Sequence, residues 1–132
     1  SSLKGRMPVQ IKGKICNDHP KKIAYSMSTA DLKNYLNDGG CILFVVYIQK
    51  FDYSTTIYYA ELTPIKLRNL LEKGKKQNTK TVHLKIFPSE SNDKTTIFLN
   101  CLQNCQKQAL IDTIFFWLMH IRLHLIKGTW KN

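Results

Sequence analysis

Eight consecutive residues, Cys41 to Ile48 (CILFVVYI), are apolar, and they constrain the fold more than any other feature of the sequence. A run of this length, rich in β-branched and aromatic residues, is typical of a strand that is covered on both faces and lies inside a sheet. A sheet covered on both faces needs helices or a second sheet to cover it. The run therefore predicts a strand in the interior of a central sheet.

Shorter patterns on both sides of this run predict strands and helices in alternation. Ser28 followed by Asp31 resembles a capping box and predicts a helix start, and Thr63 followed by Pro64 predicts another. Strands are predicted over Met7 to Lys14, Ile23 to Met27, Thr55 to Leu62 and Thr81 to Phe87, and later helices over Asn92 to Gln108 and Leu110 to Ile126. The sequence thus predicts a mixed α/β (α+β) domain with a central mixed sheet flanked by helices.

The charge balance indicates the class of partner. The chain has 132 residues with 20 Lys+Arg against 9 Asp+Glu, a formal net charge of +11, and its 43% hydrophobic content excludes a disordered basic tail. A polyanion is the usual partner of such a domain, and nucleic acid is favoured over an acidic protein or a membrane surface. Only three of the basic residues are Arg, so contacts to backbone phosphates, most simply of DNA, are expected to dominate over base reading. The candidate phosphate-binding residues are Lys14, Lys21, Lys22, Lys75 and Lys76, the last two in a basic loop over residues 73–80.

The segment Pro8 to Lys14 (PVQIKGK) carries the strongest signal for chemistry. On a strand, Gln10 and Lys12 share one face, and Val9 and Ile11 are expected to point from the other face into the core. A solvated strand face explains such an alternation equally well.

This segment resembles the second half of the PD-(D/E)XK motif of the restriction-endonuclease-like superfamily, in its Q-x-K variant. The wider chain is similar to a bacterial family of domains of unknown function in that superfamily, over about residues 5 to 108. The similar segments are Val9 to Gly13, Asp31 to Leu36, Gly40 to Val46 and Ile57 to Tyr59. The resemblance implies a restriction-endonuclease-like domain over residues 1–108, followed by an apolar helical segment over residues 109–132.

By this resemblance, Gln10 would offer its side-chain oxygen to a Mg²⁺ ion and Lys12 would be the catalytic lysine of a metal-dependent nuclease. Such a site also needs a carboxylate on the preceding strand, yet no acidic residue precedes Gln10. Because Ser rather than Met stands first, the expected carboxylate is placed upstream of Ser1 in an intact protein. The alternative is a noncatalytic module that binds nucleic acid or protein. In both cases the 132 residues are expected not to cut.

The cysteines and histidines offer an alternative metal site, for zinc. Cys101 and Cys105, then His120 and His124, are pairs spaced four residues apart, which could place two zinc ligands on one helix face. The cysteines are better explained as buried thiols, and the histidines as polar residues that interrupt the apolar sequence of a packed helix. Zinc is therefore not expected. Without a signal peptide, reduced thiols in a cytoplasmic protein are the simpler interpretation.

The apolar segment Leu110 to Ile126 is expected to pack on the domain or on a partner chain. It is interrupted by Asp112, His120, Arg122 and His124, which disfavour a membrane span. A homodimer, or docking on a larger parent chain, is therefore predicted through residues 109–127. The aromatic runs Tyr58-Tyr59 and Phe115 to Trp117 are interpreted as core rather than as stacking platforms for bases.

Overall fold

The structure is a computed structural model that describes the backbone of residues 6–74 and 76–130, and the side chains of these ranges as far as residue 122. The strands are β1 (Val9–Cys16), β2 (Lys22–Ser28), β3 (Cys41–Gln49), β4 (Thr55–Leu62) and β5 (Thr79–Ile86). The helices are α1 (Thr29–Asn37), α2 (Pro64–Glu72) and α3 (Ser91–Trp130). The elements follow the predicted order, with strand ends shifted by up to two residues.

Local signals in the sequence place the ends of α1 and α2. The Ser28 hydroxyl accepts a hydrogen bond from the backbone N–H of Asp31 at 3.1 Å, and the Thr63 hydroxyl accepts one from Lys66 N–H at 3.5 Å. Both are N-cap interactions of the predicted kind, which satisfy backbone donors that a helix start leaves open. After α1, Gly39 and Gly40 have φ values of +84° and +97°, and this left-handed backbone turns the chain into β3.

The five strands form one mixed sheet in the order β1-β3-β4-β5-β2. Strand β1 runs parallel to β3, and the remaining neighbours are antiparallel. The apolar run of β3 therefore lies inside the sheet, as predicted, with helices on both faces. Strands β4 and β5 pair only through Tyr58 with Ile86 and Tyr59 with Lys85, so the sheet curls at this point. The predicted α/β class with a central mixed sheet is confirmed.

The two faces of the sheet pack against different helices. Leu43 and Val45 of β3 face a core that includes Leu32 of α1 and Leu67 of α2, all fully buried. On the opposite face, Ile42 packs against Cys101 and Cys105 of α3, with Phe44 and Phe98 at the margin. The first core holds α1 and α2 in place, and the second attaches only the first part of α3.

Two buried tyrosines in the main core differ in one hydrogen bond. The Tyr58 hydroxyl donates to the carbonyl of Pro20, whereas the Tyr47 hydroxyl is buried without a hydrogen-bond partner among the described residues. Burial raises the pKa of both phenols, so both stay protonated near neutral pH. An unpartnered buried hydroxyl costs stability, whereas a paired one contributes about 1 kcal/mol.

We therefore expect Tyr58→Phe to lower the free energy of unfolding by about 1 kcal/mol, and Tyr47→Phe to leave it unchanged or raise it by up to ~1 kcal/mol. Each variant removes one oxygen from a ring in the same core, so each is the control for the other. Urea unfolding followed by circular dichroism measures both. A larger loss for Tyr47→Phe than for Tyr58→Phe would contradict the assignment of the two hydroxyls.

Helix α3 is continuous for 40 residues. The boundary predicted between residues 108 and 109 lies inside it, because the sequence from residue 91 to 126 contains neither Gly nor Pro to end a helix. Phe115, Phe116 and Trp117 are 62%, 70% and 63% exposed, so their interpretation as core residues is wrong for this chain. Within the described residues, no helix has the length and apolarity needed to cross a membrane.

Candidate nucleic-acid interface

The side chains of Gln10, Lys12 and Lys14 form one row along the edge strand β1. Their β3 partners in the parallel register are Leu43, Val45 and Tyr47. Residues paired in a sheet share a face, so the row lies on the face that carries the main core. Gln10 and Lys12 therefore share a face, as predicted, and both are half-buried. We call these three side chains the β1 polar row.

The apolar residues of β1 lie on the other face, and their predicted place in the core is wrong. Val9 is 43% exposed and Ile11 is 69% exposed. Ile11 borders a groove that also includes Phe44 and Ile57. The register with β3 turns the polar residues toward α1 and leaves Ile11 on the other face, where most of its side chain is exposed.

Lys12 meets a carboxylate from the first turn of α1. Its Nζ lies 3.9 Å from Asp31 Oδ2, and the two side chains are 39% and 44% exposed. An exposed ion pair at this distance contributes little to stability and exchanges easily with other ions. Lys12 is thus held near Asp31 but remains accessible to an anion from solvent. The sequence favours a helix-start role for Asp31 over a site role, because contact between β1 and α1 is not visible in a local pattern.

The side chain of Lys14, on edge strand β1, contacts a tyrosine of β2, the strand at the other edge of the sheet. Its Nζ lies 5.9 Å from the ring centroids of both Tyr25 on β2 and Tyr47 on β3. These are cation–π distances, and they hold the ammonium group near the main core face while Lys14 as a whole stays exposed. Because β2 and β1 are opposite edges of the sheet, the contact with Tyr25 shows that the curled sheet brings these edges near each other.

The basic loop between α2 and β5 lies beside the start of α1. The backbone N–H of Thr29 donates to the carbonyl of Asn78 at 2.9 Å, and Thr29 is two residues from Asp31. Lys76 in this loop is exposed, and Lys75 lies outside the described residues. Lys80 at the end of the loop is 6% exposed, and its Nζ donates to the carbonyls of Lys73 and Gly74. Lys80 therefore stabilises the end of α2 and does not face solvent.

Lys21 and Lys22 are exposed at the start of β2. Lys22 pairs in register with Lys85 of β5, so two exposed lysines occupy directly opposed positions at this end of the sheet. Like charges at directly opposed positions repel each other, and a bound anion would relieve the repulsion. Tyr58 fixes the segment just before them through its hydrogen bond to Pro20.

No protein-family model, curated protein or solved structure matches the chain. The chemistry assigned to the site is therefore derived from the residues of this chain, without support from a relative.

The described residues do not fit a complete Mg²⁺ site. Among them, no group of three or more His, Cys, Asp and Glu side chains could hold a metal ion. All nine acidic residues of the sequence belong to the described ranges, and the only one with an ion pair to the β1 polar row, Asp31, faces the ammonium group of Lys12. Mg²⁺ needs carboxylate oxygens that are free to bind it, so we derive no catalytic step through this ion.

The Cys and His pairs of α3 do not converge. Cys105 and His120 are 15 positions apart on one continuous helix, which corresponds to about 22 Å, so they cannot bind one zinc ion. The side chain of His124 lies outside the described residues. Cys101 and Cys105 are buried against Ile42, and burial raises the pKa of both thiols. They are therefore core residues with low reactivity.

Proposed function

We propose that this chain binds nucleic acid, chiefly through backbone phosphates, along the β1 polar row and the neighbouring basic loop. The observation that carries this proposal is the placement of Lys12 and Lys14 on one face of an edge strand, where the start of α1 and the α2–β5 loop meet. Lys76 extends the same region toward the loop, and the net charge of +11 adds long-range attraction.

The composition of the site favours phosphates over bases. Lysines act as point charges on flexible stems, whereas bidentate reading of guanine edges is mainly the work of arginine. The Gln10 amide can donate to a phosphate oxygen or accept from a base, and it lies on the same strand face as both lysines. We therefore expect binding with a strong salt dependence and little sequence preference.

A metal-dependent phosphodiesterase is the second candidate function, and it requires a carboxylate beside Gln10 that the described residues do not provide. It is favoured by the common face of Gln10 and Lys12, which the Q-x-K resemblance requires. In that case Gln10 and Lys12 would be the residues that the resemblance assigns to the metal ion and to catalysis. The 132-residue chain itself is expected to bind and not to cut.

One experiment tests both candidates. The chain is titrated into fluorescently labelled DNA and RNA duplexes at several salt concentrations, and the same samples are then incubated with Mg²⁺ and examined for cleavage. The proposal expects saturable binding that weakens steeply with salt, and no cleavage. Absence of binding at low salt contradicts it. Cleavage that is lost in Lys12→Ala would instead establish the enzyme.

Neutralising Asp31 is expected to strengthen binding. Asp31→Asn removes the carboxylate that competes with phosphate for Lys12, so affinity for a DNA duplex should rise roughly three- to tenfold at low salt. Asp38→Asn, at the other end of α1, makes the same change in net charge and is the control, with an expected rise below about twofold. Equal rises in the two variants, or weaker binding by Asp31→Asn, would show that Lys12 is not a phosphate contact.

A further inference from the structure

The second half of α3 exposes an unusual amount of apolar surface. From Leu110 to Ile121 nine large apolar side chains are between 45% and 70% exposed; they are Leu110, Ile111, Ile114, Phe115, Phe116, Trp117, Leu118, Met119 and Ile121. Because an aromatic side chain alone carries roughly 150–250 Å², their exposed surface together is on the order of 1,000 Å². The largest apolar patch on a typical monomer is about 300–600 Å².

Four of these residues form a seam with the spacing of a coiled coil. Leu110, Ile114, Trp117 and Ile121 are separated by four, three and four positions, which is the a/d pattern of a heptad repeat. At 100° per residue they fall within a sector of about 60° on one side of the helix. We call these four side chains the α3 seam.

The α3 seam points away from the domain. On its other side the helix is attached by Cys105, by the Gln108 side chain, which accepts a hydrogen bond from Ile65 N–H at 2.9 Å, and by Asp112, which pairs with Arg68 at 2.5 Å. By the same helical geometry these residues lie about 180° from the centre of the seam. The described contacts between α3 and the domain therefore lie on the side of the helix opposite the seam.

We propose that two copies of this chain pair through the α3 seam to form a homodimer. A seam at heptad spacing is complementary to itself, so a second copy presents the same ridge of side chains without any further partner. Pairing along the seam would cover Leu110, Ile114, Trp117 and Ile121, and so remove from water part of an apolar surface larger than the patches of typical monomers. The positions that continue the seam toward the start of α3 are polar, among them Gln103 and Lys107, so pairing is confined to the part beyond residue 109.

Matched double variants of the full chain test this proposal. Ile114→Glu with Trp117→Glu places two charges in the seam, whereas Phe116→Glu with Met119→Glu places the same charges at the same spacing on the opposite side. All four residues are exposed, so neither variant should unfold the domain, which far-UV circular dichroism checks. The readout is the mass in solution by sedimentation equilibrium.

The proposal expects twice the 15.3 kDa mass for the wild type and for the Phe116/Met119 variant, and a single-chain mass for the Ile114/Trp117 variant. A monomeric wild type overturns it. Equal loss of the dimer in both variants also overturns it, because the association would then be nonspecific apolar contact. Binding of a monomeric wild type to vesicles of phosphatidylcholine and phosphatidylglycerol would assign the surface to a membrane instead. None of these outcomes depends on nucleic-acid binding, so the dimer and the proposed function fail separately.

Discussion

Gly40→Ala is expected to lower the free energy of unfolding by about 3–4 kcal/mol, because the new methyl group would combine backbone strain with a steric clash. Gly40 has a φ of +97°, where L side chains are strained. A Cβ at this position would lie 2.8 Å from the carbonyl oxygen of Leu62 and 2.8 Å from Cys105 Sγ. The carbonyl belongs to strand backbone and cannot move without disturbing β4.

Gly39→Ala is the matched control for this variant. Gly39 has a similar φ of +84°, but a Cβ there would meet nothing within 4 Å. The expected loss is therefore about 1 kcal/mol, from strain alone. Urea unfolding of the two variants separates strain from clash. Equal losses would show that α3 and β4 do not pack against Gly40 as described.

The second large effect concerns nucleic-acid affinity. At 0.1 M salt, each phosphate contact contributes roughly eightfold through counterion release, so Lys12→Gln with Lys14→Gln should weaken DNA binding by roughly 50-fold. The control, Lys94→Gln with Lys107→Gln, lowers the net charge by the same amount on α3, which packs on the opposite face of the sheet. Its expected loss is below about threefold, since only long-range attraction changes.

Local signals allowed much of the fold to be predicted. The caps at Ser28 and Thr63 and the apolar run of β3 depend on neighbours in sequence, and the structure agrees with all three. The continuity of α3 could also have been predicted, because neither Gly nor Pro, the residues that usually end a helix, occurs near position 108.

The faces of β1 could not be predicted from the sequence. A strand that alternates apolar and polar residues has two possible orientations, and only the pairing of Lys12 with Val45 turns the polar side toward α1. The approach of Asp31 to Lys12 and the burial of Lys80 depend on contacts between different elements in the same way. These three features of the candidate site could therefore be identified only from the three-dimensional structure.

The central claim is that Lys12 and Lys14 contact phosphates, and the salt dependence of DNA binding tests it most directly. In a plot of log K against log salt concentration, each lost phosphate contact reduces the slope by about 0.9. We predict that the Lys12/Lys14 variant has a slope smaller than that of the wild type by about 2, and that the slope of the Lys94/Lys107 variant changes by less than about 0.5. Equal slopes for the wild type and the Lys12/Lys14 variant would contradict the claim.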